Sequence, residues 1–263
     1  MNENEKQMVE ILKNGKDKYD ICATKAEFEA EGTRVDELLR LLDIANSANV
    51  DIALKIGGCE AIRDLLEAKQ FGVKYIIAPM VETPYALEKY INAKNKVFYE
   101  PENNTQFLFN VETYTAYQNI KDLIQIASIE NGCEGLVFGR VDFSKSMKLS
   151  RDAIENNEIT EIGEKIAHAC KLNNIDFVVG GAISTAALPA LKRFNKIKLD
   201  RFETRKIIFK KDALSNRELD LALRDAVHFE LLWLINKREY YEFIYKEDEN
   251  RIKMLEERWK ILK

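Results

Sequence analysis

Short apolar runs alternate with longer amphipathic segments along most of the chain. The apolar runs predict strands at 21–32, 51–58, 73–82, 106–112, 135–142 and 176–182. The segments that follow them repeat apolar residues with the period of a helix, at 34–45, 59–70, 83–93, 113–129, 158–172 and 184–194. The pattern therefore predicts strands and helices in alternation.

This alternation predicts a mostly parallel sheet whose strands are joined by helical crossovers. The predicted strand ends recur at intervals of roughly 25–40 residues, which suits a closed (β/α)8 TIM barrel. An open, doubly wound sheet is the alternative, but the stretch EAEGTR after the first strand is not the Gly-rich phosphate loop usual there. Segment 199–209 must supply the remaining strands. The eighth strand stays open, with 97–99 as a further candidate.

The C-terminal part of the chain differs from the rest. From Ser215 to Lys263 there is no Gly or Pro, and the pattern is helical. Residues 219–235 are apolar on nearly every side, which indicates a buried helix. This helix packs either on its own barrel or on a neighbouring subunit. We therefore divide the chain into a barrel domain, 1–214, and a C-terminal helical arm, 215–263, and expect a homo-oligomer.

Composition narrows the classes of function. With 46% hydrophobic residues, the 263-residue chain can bury a full-sized core. Its net charge of −4 and its scattered basic residues argue against a nucleic-acid partner. No apolar run is long enough to span a bilayer, and the first 20 residues are too polar for a signal peptide. Because the four cysteines form no CxxC pair, we expect a reduced, cytoplasmic protein.

Two carboxylates end consecutive predicted strands. Glu112 follows the strand 106–112, and Asp142 closes the strand 135–142. Active sites of α/β barrels lie at the carboxyl ends of the strands, and adjacent strands are about 4.8 Å apart. Both carboxylates can therefore reach one cation, and two oxygen ligands with open positions suit Mg²⁺ or Mn²⁺. The alternative is that Glu112 caps its following helix and Asp142 pairs with Arg140.

The residues around these carboxylates extend the prediction. Arg140 and Asp142 are two apart, so they share one face of the predicted strand, where Arg140 either balances Asp142 or contacts a substrate anion. Glycine pairs on flanking strands leave room for a ligand near the backbone, namely Gly57 with Gly58 and Gly180 with Gly181.

The succession LKIGG, APMVE, NVET and GLVFGRVD resembles the HpcH/HpaI aldolase and citrate lyase β-subunit family, within the pyruvate/phosphoenolpyruvate barrel superfamily. The resemblance covers about residues 20–195. It implies that Glu112 and Asp142 hold Mg²⁺, which chelates a pyruvate-like 2-oxo acid. It also implies that Lys55, where the family commonly has Arg, holds or polarises the oxo acid. In this family a C-terminal helix is often exchanged between subunits.

The chain departs from this family at the position of the proton-transfer group. The aldolase branch uses a histidine, but the two histidines of this chain, His168 and His228, fall on predicted helices away from the strand ends. We interpret both as structural. The citrate lyase branch has a lysine in a Pro-Lys-x-Glu strand, where this chain has Met80. The resemblance therefore leaves the acid–base residue unidentified.

Two charged segments contain candidates for that role. Four residues of the first predicted strand share one face, namely Lys25, Glu27, Glu29 and Glu31. An exposed edge strand would show the same pattern, but a closed barrel has no edge strand. Glu203 and Arg205 also share a face, so Arg205 either clamps a substrate carboxylate or pairs with Glu203. From these segments we single out Glu29 and Arg205, with Lys55 and Arg140, as candidate catalytic residues.

These features predict a carbon–carbon lyase. Cleavage of a bond next to a carbonyl leaves an enolate, which a cation stabilises. We expect a metal-dependent, aldolase-like enzyme that breaks or forms a bond to pyruvate or a similar 2-oxo acid. A lyase acting on an acyl-CoA thioester is one alternative, although no basic run for the CoA phosphates is evident. A catalytically silent barrel that binds a metabolite is the other.

Overall fold

A computed structural model of the chain describes residues 1–100 and 104–262, and within them eight strands close into one barrel in sequence order. The strands are β1 Ile21–Glu27, β2 Asp51–Lys55, β3 Tyr75–Ala78, β4 Gln106–Val111, β5 Gly135–Gly139, β6 Asp176–Gly180, β7 Arg201–Glu203 and β8 Ile207–Lys210. The helices are α1 Glu3–Tyr19, α2 Val35–Ser47, α3 Ile62–Gln70, α4 Pro84–Val97, α5 Tyr114–Gln118, α6 Ile120–Ala127, α7 Arg140–Ser146, α8 Asn157–Leu172, α9 Leu188–Asn195 and α10 Leu219–Leu262. The predicted α/β barrel with a C-terminal helical extension is confirmed.

The barrel departs from an all-parallel arrangement at its last strand. Strands β1 to β7 pair in parallel with their neighbours in chain order. Strand β8 is antiparallel to both β7 and β1, because the three residues between β7 and β8 form a tight turn, too short for a helical crossover. Segment 199–209 therefore supplies two strands. The alternative strand at 97–99 is wrong, since Val97 ends α4.

Two apolar cores stabilise the barrel. The interior is filled by eight inward-facing residues, Ala23, Ala53, Tyr75, Ile77, Leu108, Val137, Val178 and Ile208. The alternate residues of each strand face outward and join the apolar faces of the surrounding helices in a second, larger core. A cavity inside the barrel, lined by residues of this core together with Arg201 and Glu203, measures about 10 Å³. The barrel is thus a packed core, and function is confined to its ends.

Several predicted boundaries are wrong, and the differences bear on the candidate site. Strand β1 ends at Glu27, so Glu29 and Glu31 lie in the following loop. Strand β5 ends at Gly139, because the backbone turns into α7 at Arg140. The predicted helix 113–129 is broken at Asn119 into α5 and α6.

Helix α10 is buried only along part of its length. Its buried residues are Leu219, Ala222, Leu223, Ala226, Phe229, Leu232 and Trp233, and no side chain from 234 to 262 is buried. Within the single chain the segment 219–235 is not buried on every side, because Val227, Leu231 and Leu234 are 65%, 52% and 53% exposed, and burial of this face on a neighbouring subunit stays a prediction. Among the described helices, none is long and apolar enough to cross a membrane. The proposed domain division at 215 stays a prediction.

An N-terminal helix that the alternating pattern did not predict supports α10. Helix α1 begins with a capping box in which the Asn2 side chain accepts from the Glu5 backbone and the Glu5 carboxylate accepts from the Asn2 backbone. The buried Glu5 also pairs with Arg40 of α2. Helix α1 is thereby held against α2 and packs along the first half of α10.

Removing one ring from the outer core tests the packing. Phe177 of β6 is fully buried and packs edge to face on Phe194 of α9, with ring centroids 5.8 Å apart. We expect Phe177→Ala to lower the free energy of unfolding by about 3–5 kcal/mol, since it leaves a cavity. The control is Phe243→Ala, because Phe243 is 76% exposed. Urea unfolding of both variants measures the effect, and equal losses would contradict the assignment.

Candidate active site at the carboxyl end of the barrel

Five buried charged residues lie at the carboxyl ends of β1, β2, β4 and β7: Lys25, Glu27, Lys55, Glu112 and Glu203. Their inward direction follows from the two-residue period of a strand. Lys25 comes two residues after Ala23, and Lys55 two residues after Ala53, both of which fill the barrel interior. The apolar interior is thus capped by a layer of charges, which we call the mouth of the barrel.

Lys25 is held between two carboxylates. Its Nζ lies 2.6 Å from Glu203 Oε1 and 3.4 Å from Glu27 Oε1. Burial disfavours the charged amine, but Glu203 and Glu27 outweigh this and raise the pKa of Lys25 above its usual range. Burial likewise opposes the charge of Glu27, whose pKa is nevertheless lowered by Lys25 and Lys55. Lys25 and Glu27 are therefore both ionised near neutral pH.

Lys55 is the second cation of the mouth. Its Nζ lies 2.9 Å from Glu29 Oε2 and 3.5 Å from Glu112 Oε2. Burial lowers the pKa of Lys55, but the carboxylates of Glu112 and Glu29 raise it further, so the net shift is upward. The structure thus brings together three residues that the sequence singled out, Lys55, Glu29 and Glu112.

Glu112 lies directly after β4 with its carboxylate inside the protein. Its Oε1 accepts from the Met80 backbone N–H at 2.9 Å, and its Oε2 accepts from Asn110 Nδ2 at 2.7 Å. The alternative in which Glu112 caps the next helix is wrong, because the Thr113 side chain accepts from Ala116 N and caps α5. Glu112 is therefore directed into the mouth.

Two glycines make space between the carboxylates. Gly139 of β5 is paired in register with Gly180 of β6, which is paired in turn with Glu203 of β7. A Cβ at Gly139 would lie 2.8 Å from Glu112 Cβ, and one at Gly180 would lie 3.2 Å from Glu203 Cγ. Glu112 and Glu203 thus fold over two neighbouring strands that lack side chains at this level, where a substrate can approach the backbone.

The other three predicted glycines lie outside the strands. Gly57 and Gly58 follow β2 in the turn before α3, and the Gly57 N–H donates to Asp64 Oδ2 at 2.7 Å. Gly181 has φ +86°, and a Cβ there would lie 2.7 Å from the Val141 backbone nitrogen. Its role is therefore to allow a tight turn beneath α7.

Arg140 and Asp142 do not share a strand face, and the predicted pair between them is wrong. Both belong to α7, where residues two apart diverge. The Arg140 guanidinium is buried and donates to Glu155 Oε2 at 3.0 Å and to the Gly181 carbonyl at 2.9 Å. It therefore ties α7 to the turns that follow α7 and β6, rather than balancing Asp142.

Asp142 lies in the first turn of α7, next to the end of β5. Its side chain is 56% exposed and lies 3.2 Å from Lys145. Among the described residues, no three His, Cys, Asp or Glu side chains are close enough to hold a metal ion. The oxygen donors still fit Mg²⁺ or Mn²⁺, because Asn110 Oδ1, beside Glu112, is buried without a hydrogen-bond partner among the described residues. An exposed ion pair such as Asp142–Lys145 contributes little to stability, so Asp142 can give it up to bind an ion.

A third charged group lies at the turn between β7 and β8. Arg205 Nε is 3.0 Å from Glu31 Oε1, and Lys206 Nζ also pairs with Glu31. The prediction that Arg205 pairs with Glu203 is therefore wrong, because Glu203 bonds to Lys25. Burial lowers the pKa of Lys206. Lys206 was not predicted from the sequence, although its place in a charged turn directly before the apolar start of β8 was a signal.

The two histidines lie on helices, as predicted. His168 is exposed on α8 and His228 is exposed on α10. A cavity of about 410 Å³ lies on the outside of the barrel and is lined by residues of α1, α2 and α10. Its basic groups are paired within the chain, Arg40 with Glu5 and Lys237 with Glu37. We therefore place the candidate site at the mouth.

Comparison with known proteins agrees with this architecture. The model of the HpcH/HpaI aldolase/citrate lyase family matches residues 24–188, more than half of the chain and all but the last two strands of the barrel. No curated protein matches the chain.

Solved structures similar to the chain share the fold. An HpcH/HpaI aldolase/citrate lyase family protein from Burkholderia cenocepacia J2315 has a TM-score of 0.60 and 14% identity, covering 84% of this chain and 90% of its own. The HpcH/HpaI aldolase from Desulfitobacterium hafniense DCB-2 has a TM-score of 0.58 and 14% identity, covering 75% and 82%. A variant of the citrate synthase SbnG has a TM-score of 0.56 and 15% identity, covering 75% and 81%.

A closed α/β barrel with charged side chains at the carboxyl ends of its strands is the architecture of the TIM-barrel enzymes. Within that class, this chain belongs to the HpcH/HpaI aldolase/citrate lyase family, a family of lyase-type enzymes.

Removing the Lys25 amine tests the charge balance of the mouth. Lys25→Met leaves Glu203 and Glu27 buried without their cation, so we expect the free energy of unfolding at pH 7 to fall by about 3–5 kcal/mol. The pKa values of these carboxylates then rise in the folded state above their unfolded values. The folded variant binds protons that the unfolded chain does not, so its stability recovers as the pH falls from 7 towards 5.

Wild type should not show this recovery between pH 7 and pH 5. The pKa of Glu27 is lower in the folded state than in the unfolded state. The stabilisation that the ionised Glu27 gives to the fold is therefore complete above its unfolded pKa, and it is lost as the pH falls through its folded pKa. The control is Lys145→Met, which removes an exposed partner of Asp142. Chemical unfolding across this pH range measures the effect, and a Lys25→Met variant with the wild-type profile would contradict the assignment.

Proposed function

We propose that the chain is a divalent-metal-dependent carbon–carbon lyase that cleaves or forms a bond to pyruvate or a similar 2-oxo acid. The observation that carries the proposal is the convergence of Lys55, Glu112 and Glu203 on the space above Gly139 and Gly180. Lys55 supplies a positive charge for the oxo acid. Glu112 and Glu203 supply two carboxylates that differ in their hydrogen-bond partners. Family membership supports the reaction class.

Lys55 binds the oxo acid in this proposal. Its ammonium group is charged and partly buried at the mouth, and its contact of 3.5 Å with Glu112 is long for a charge-assisted hydrogen bond. The carboxylate or oxo oxygen of the substrate can therefore replace Glu112 as the partner of Lys55. Glu29, at 2.9 Å, keeps the Lys55 side chain directed at the mouth.

The proposed metal ligands are Glu112 and Asp142. Asp142 exchanges its exposed contact with Lys145 for the ion, and Glu112 keeps its backbone donor at Met80. The ion supplies, when bound, the positive charge that stabilises the enolate left by bond cleavage. Asn110, which donates to Glu112 Oε2, orients this carboxylate from the neighbouring layer of the barrel.

Glu203 is the proton-transfer group that we propose in place of the family histidine. Its Oε1 accepts from Lys25, whereas its buried Oε2 has no hydrogen-bond partner among the described residues. In the cleavage direction Oε2 takes the hydroxyl proton of the substrate as the carbon–carbon bond breaks. The bond's electron pair passes to the oxo acid, the aldehyde leaves, and a proton returned to the carbon gives the 2-oxo acid.

Lys25 is a positioning residue in this scheme, since its ammonium group holds Glu203 Oε1 in place at 2.6 Å. Arg140, bonded to Glu155 and Gly181, positions α7 and with it Asp142. Arg205 pairs with Glu31 on the rim of the mouth, where it can still meet a substrate carboxylate. The cytoplasmic location and the homo-oligomer expected from the sequence stay predictions.

A catalytically silent barrel that binds a metabolite is the second candidate. It is favoured by the pairing of both mouth lysines with carboxylates of their own chain, Lys25 with Glu203 and Lys55 with Glu29. An assay for pyruvate release from a panel of 4-hydroxy-2-oxo acids with Mn²⁺ separates the two. Pyruvate that binds in calorimetry without turnover of any panel member would favour the silent barrel.

The metal ligands are tested by calorimetry with Mn²⁺ and Mg²⁺. We expect Glu112→Gln and Asp142→Asn each to weaken metal binding at least ~10-fold, because each removes an anionic ligand. The control is Glu88→Gln, which neutralises an exposed carboxylate on α4. Wild-type affinity in both ligand variants would refute the metal assignment.

The roles of Lys55 and Glu203 differ in steady-state kinetics. We expect Lys55→Ala mainly to raise KM for the oxo acid, and Glu203→Gln to lower kcat by about 10²–10⁴-fold with less change in KM. Circular dichroism and the thermal midpoint check that both variants are folded. A Glu203→Gln variant that is folded and has the wild-type kcat would return the proton-transfer role to another residue of the mouth.

A further inference from the structure

Helix α10 has an apolar stripe with the period of a coiled coil. Steps of four and three residues alternate through positions 227, 231, 234, 238, 241, 245, 248, 252, 255, 259 and 262. Nine of these positions are apolar or aromatic, and the other two are Arg238 and Asp248. We call this stripe the seam. Its mean period of 3.5 residues is that of a left-handed coiled coil rather than of a helix lying on a globular core.

Most of the seam faces away from the barrel, and Tyr241 is the exception, because its hydroxyl donates to Glu37 Oε1 of α2 at 2.6 Å. The first residues of the seam, Val227, Leu231 and Leu234, are 65%, 52% and 53% exposed beside the buried face that packs on the barrel. Five later residues are between 47% and 73% exposed, namely Tyr245, Ile252, Leu255, Trp259 and Leu262. An apolar stripe of this length on the solvent side of a single chain indicates an interaction surface.

The two charged residues on the seam indicate which molecule binds to it. Arg238 and Asp248 lie five residues on either side of Phe243, and among the described residues neither has an ion-pair partner within 4 Å. In an antiparallel pair of identical helices centred at position 243, each Arg238 faces the partner's Asp248. The chain is therefore complementary to a second copy of itself.

The same register matches the rest of the seam. It pairs Leu231 with the partner's Leu255, Leu234 with the partner's Ile252, and Tyr241 with the partner's Tyr245. The neighbouring antiparallel registers, shifted by seven residues, place Arg238 against Tyr241 or Leu255 and leave both charges buried without a counter-charge, which is costly. A parallel, in-register pair places Arg238 against Arg238 and Asp248 against Asp248. Only one arrangement thus satisfies every seam position.

Residues on one side of the seam agree with this arrangement, since Glu230 lies opposite the partner's Arg258 and Ile244 lies opposite the partner's Ile244. Two like-charge contacts are offset within each chain. Lys237, which would meet the partner's Arg251, pairs with Glu37 at 3.0 Å, and Glu242, which would meet the partner's Glu242, pairs with Lys246 at 2.6 Å. We propose that α10 forms an antiparallel two-stranded coiled coil with α10 of a second copy of the chain, in the register set by Arg238 and Asp248.

Charge reversal tests the register in solution. By sedimentation velocity of the full chain we expect an even-numbered assembly for wild type. Arg238→Asp and Asp248→Arg each place like charges together, and each should shift the assembly towards half its mass at a given concentration. The double variant restores opposite charges and should restore the assembly. In a parallel dimer each single variant would replace one like-charge pair by another. The single variants would then not weaken the assembly and the double variant would not restore it, and that result would overturn the proposal.

Disulfide trapping tests the direction independently. We expect the double variant Leu231→Cys/Leu255→Cys to form a covalent dimer on mild oxidation, whereas either single variant should form little more than wild type, which controls for the four native cysteines. Covalent dimers of the single Leu231→Cys variant would indicate parallel helices and overturn the proposal.

The seam itself is tested against matched positions on the same helix. Ile252→Glu/Leu255→Glu should dissociate the assembly, and Phe243→Glu/Ile261→Glu, off the seam and 76% and 84% exposed in wild type, should leave it intact. A monomeric wild-type chain at tens of micromolar, or an assembly unaffected by the seam variant, would refute the proposal. Retained circular dichroism in each variant excludes unfolding as the cause.

Discussion

The ion pair between Lys25 and Glu203 is the interaction on which the mouth of the barrel depends. Lys25 comes from β1 and Glu203 from β7, and antiparallel β8 lies between these strands. Either charge alone would be buried without compensation, at a cost of several kcal/mol. The pair is satisfied only when β8 closes the barrel, so closure of the fold and assembly of the site are one event.

The short turn that reverses β8 has a second consequence. A helical crossover at this point would have carried residues 204–206 away from the mouth, whereas the turn leaves Arg205 and Lys206 beside the loop after β1. There both contact Glu31. The loop after β1 is therefore tied to the turn between β7 and β8 by Glu31. The burial that lowers the Lys206 pKa follows from this arrangement.

The parts of the site that could be predicted from the sequence are those that lie where an apolar run ends. Glu112 was singled out as the carboxylate that ends a predicted strand, and Lys55 by the resemblance of LKIGG to the family; they lie at the ends of β4 and β2. Arg140 and Asp142 were misplaced, because β5 passes directly into α7 with Gly139 as both its last residue and the helix N-cap, and the period alone does not mark this change from strand to helix. Glu29, predicted on the face of β1, reaches Lys55 from a loop, which only the tertiary structure specifies.

The base of α10 is attached to the same loops that form the rim of the mouth. Arg205 lies 3.0 Å from Glu31 and 3.8 Å from Glu230 of α10, and Lys206 Nζ is 5.6 Å from the Trp233 ring. Any force that orients α10 therefore acts on Arg205 and Lys206 through contacts of a few ångströms. If two copies pair along the seam, the direction of each α10 is set by its partner over a length of about 50 Å. Pairing would then fix the rim as well, so assembly and substrate binding would be coupled through Arg205, without any residue of the partner entering the site.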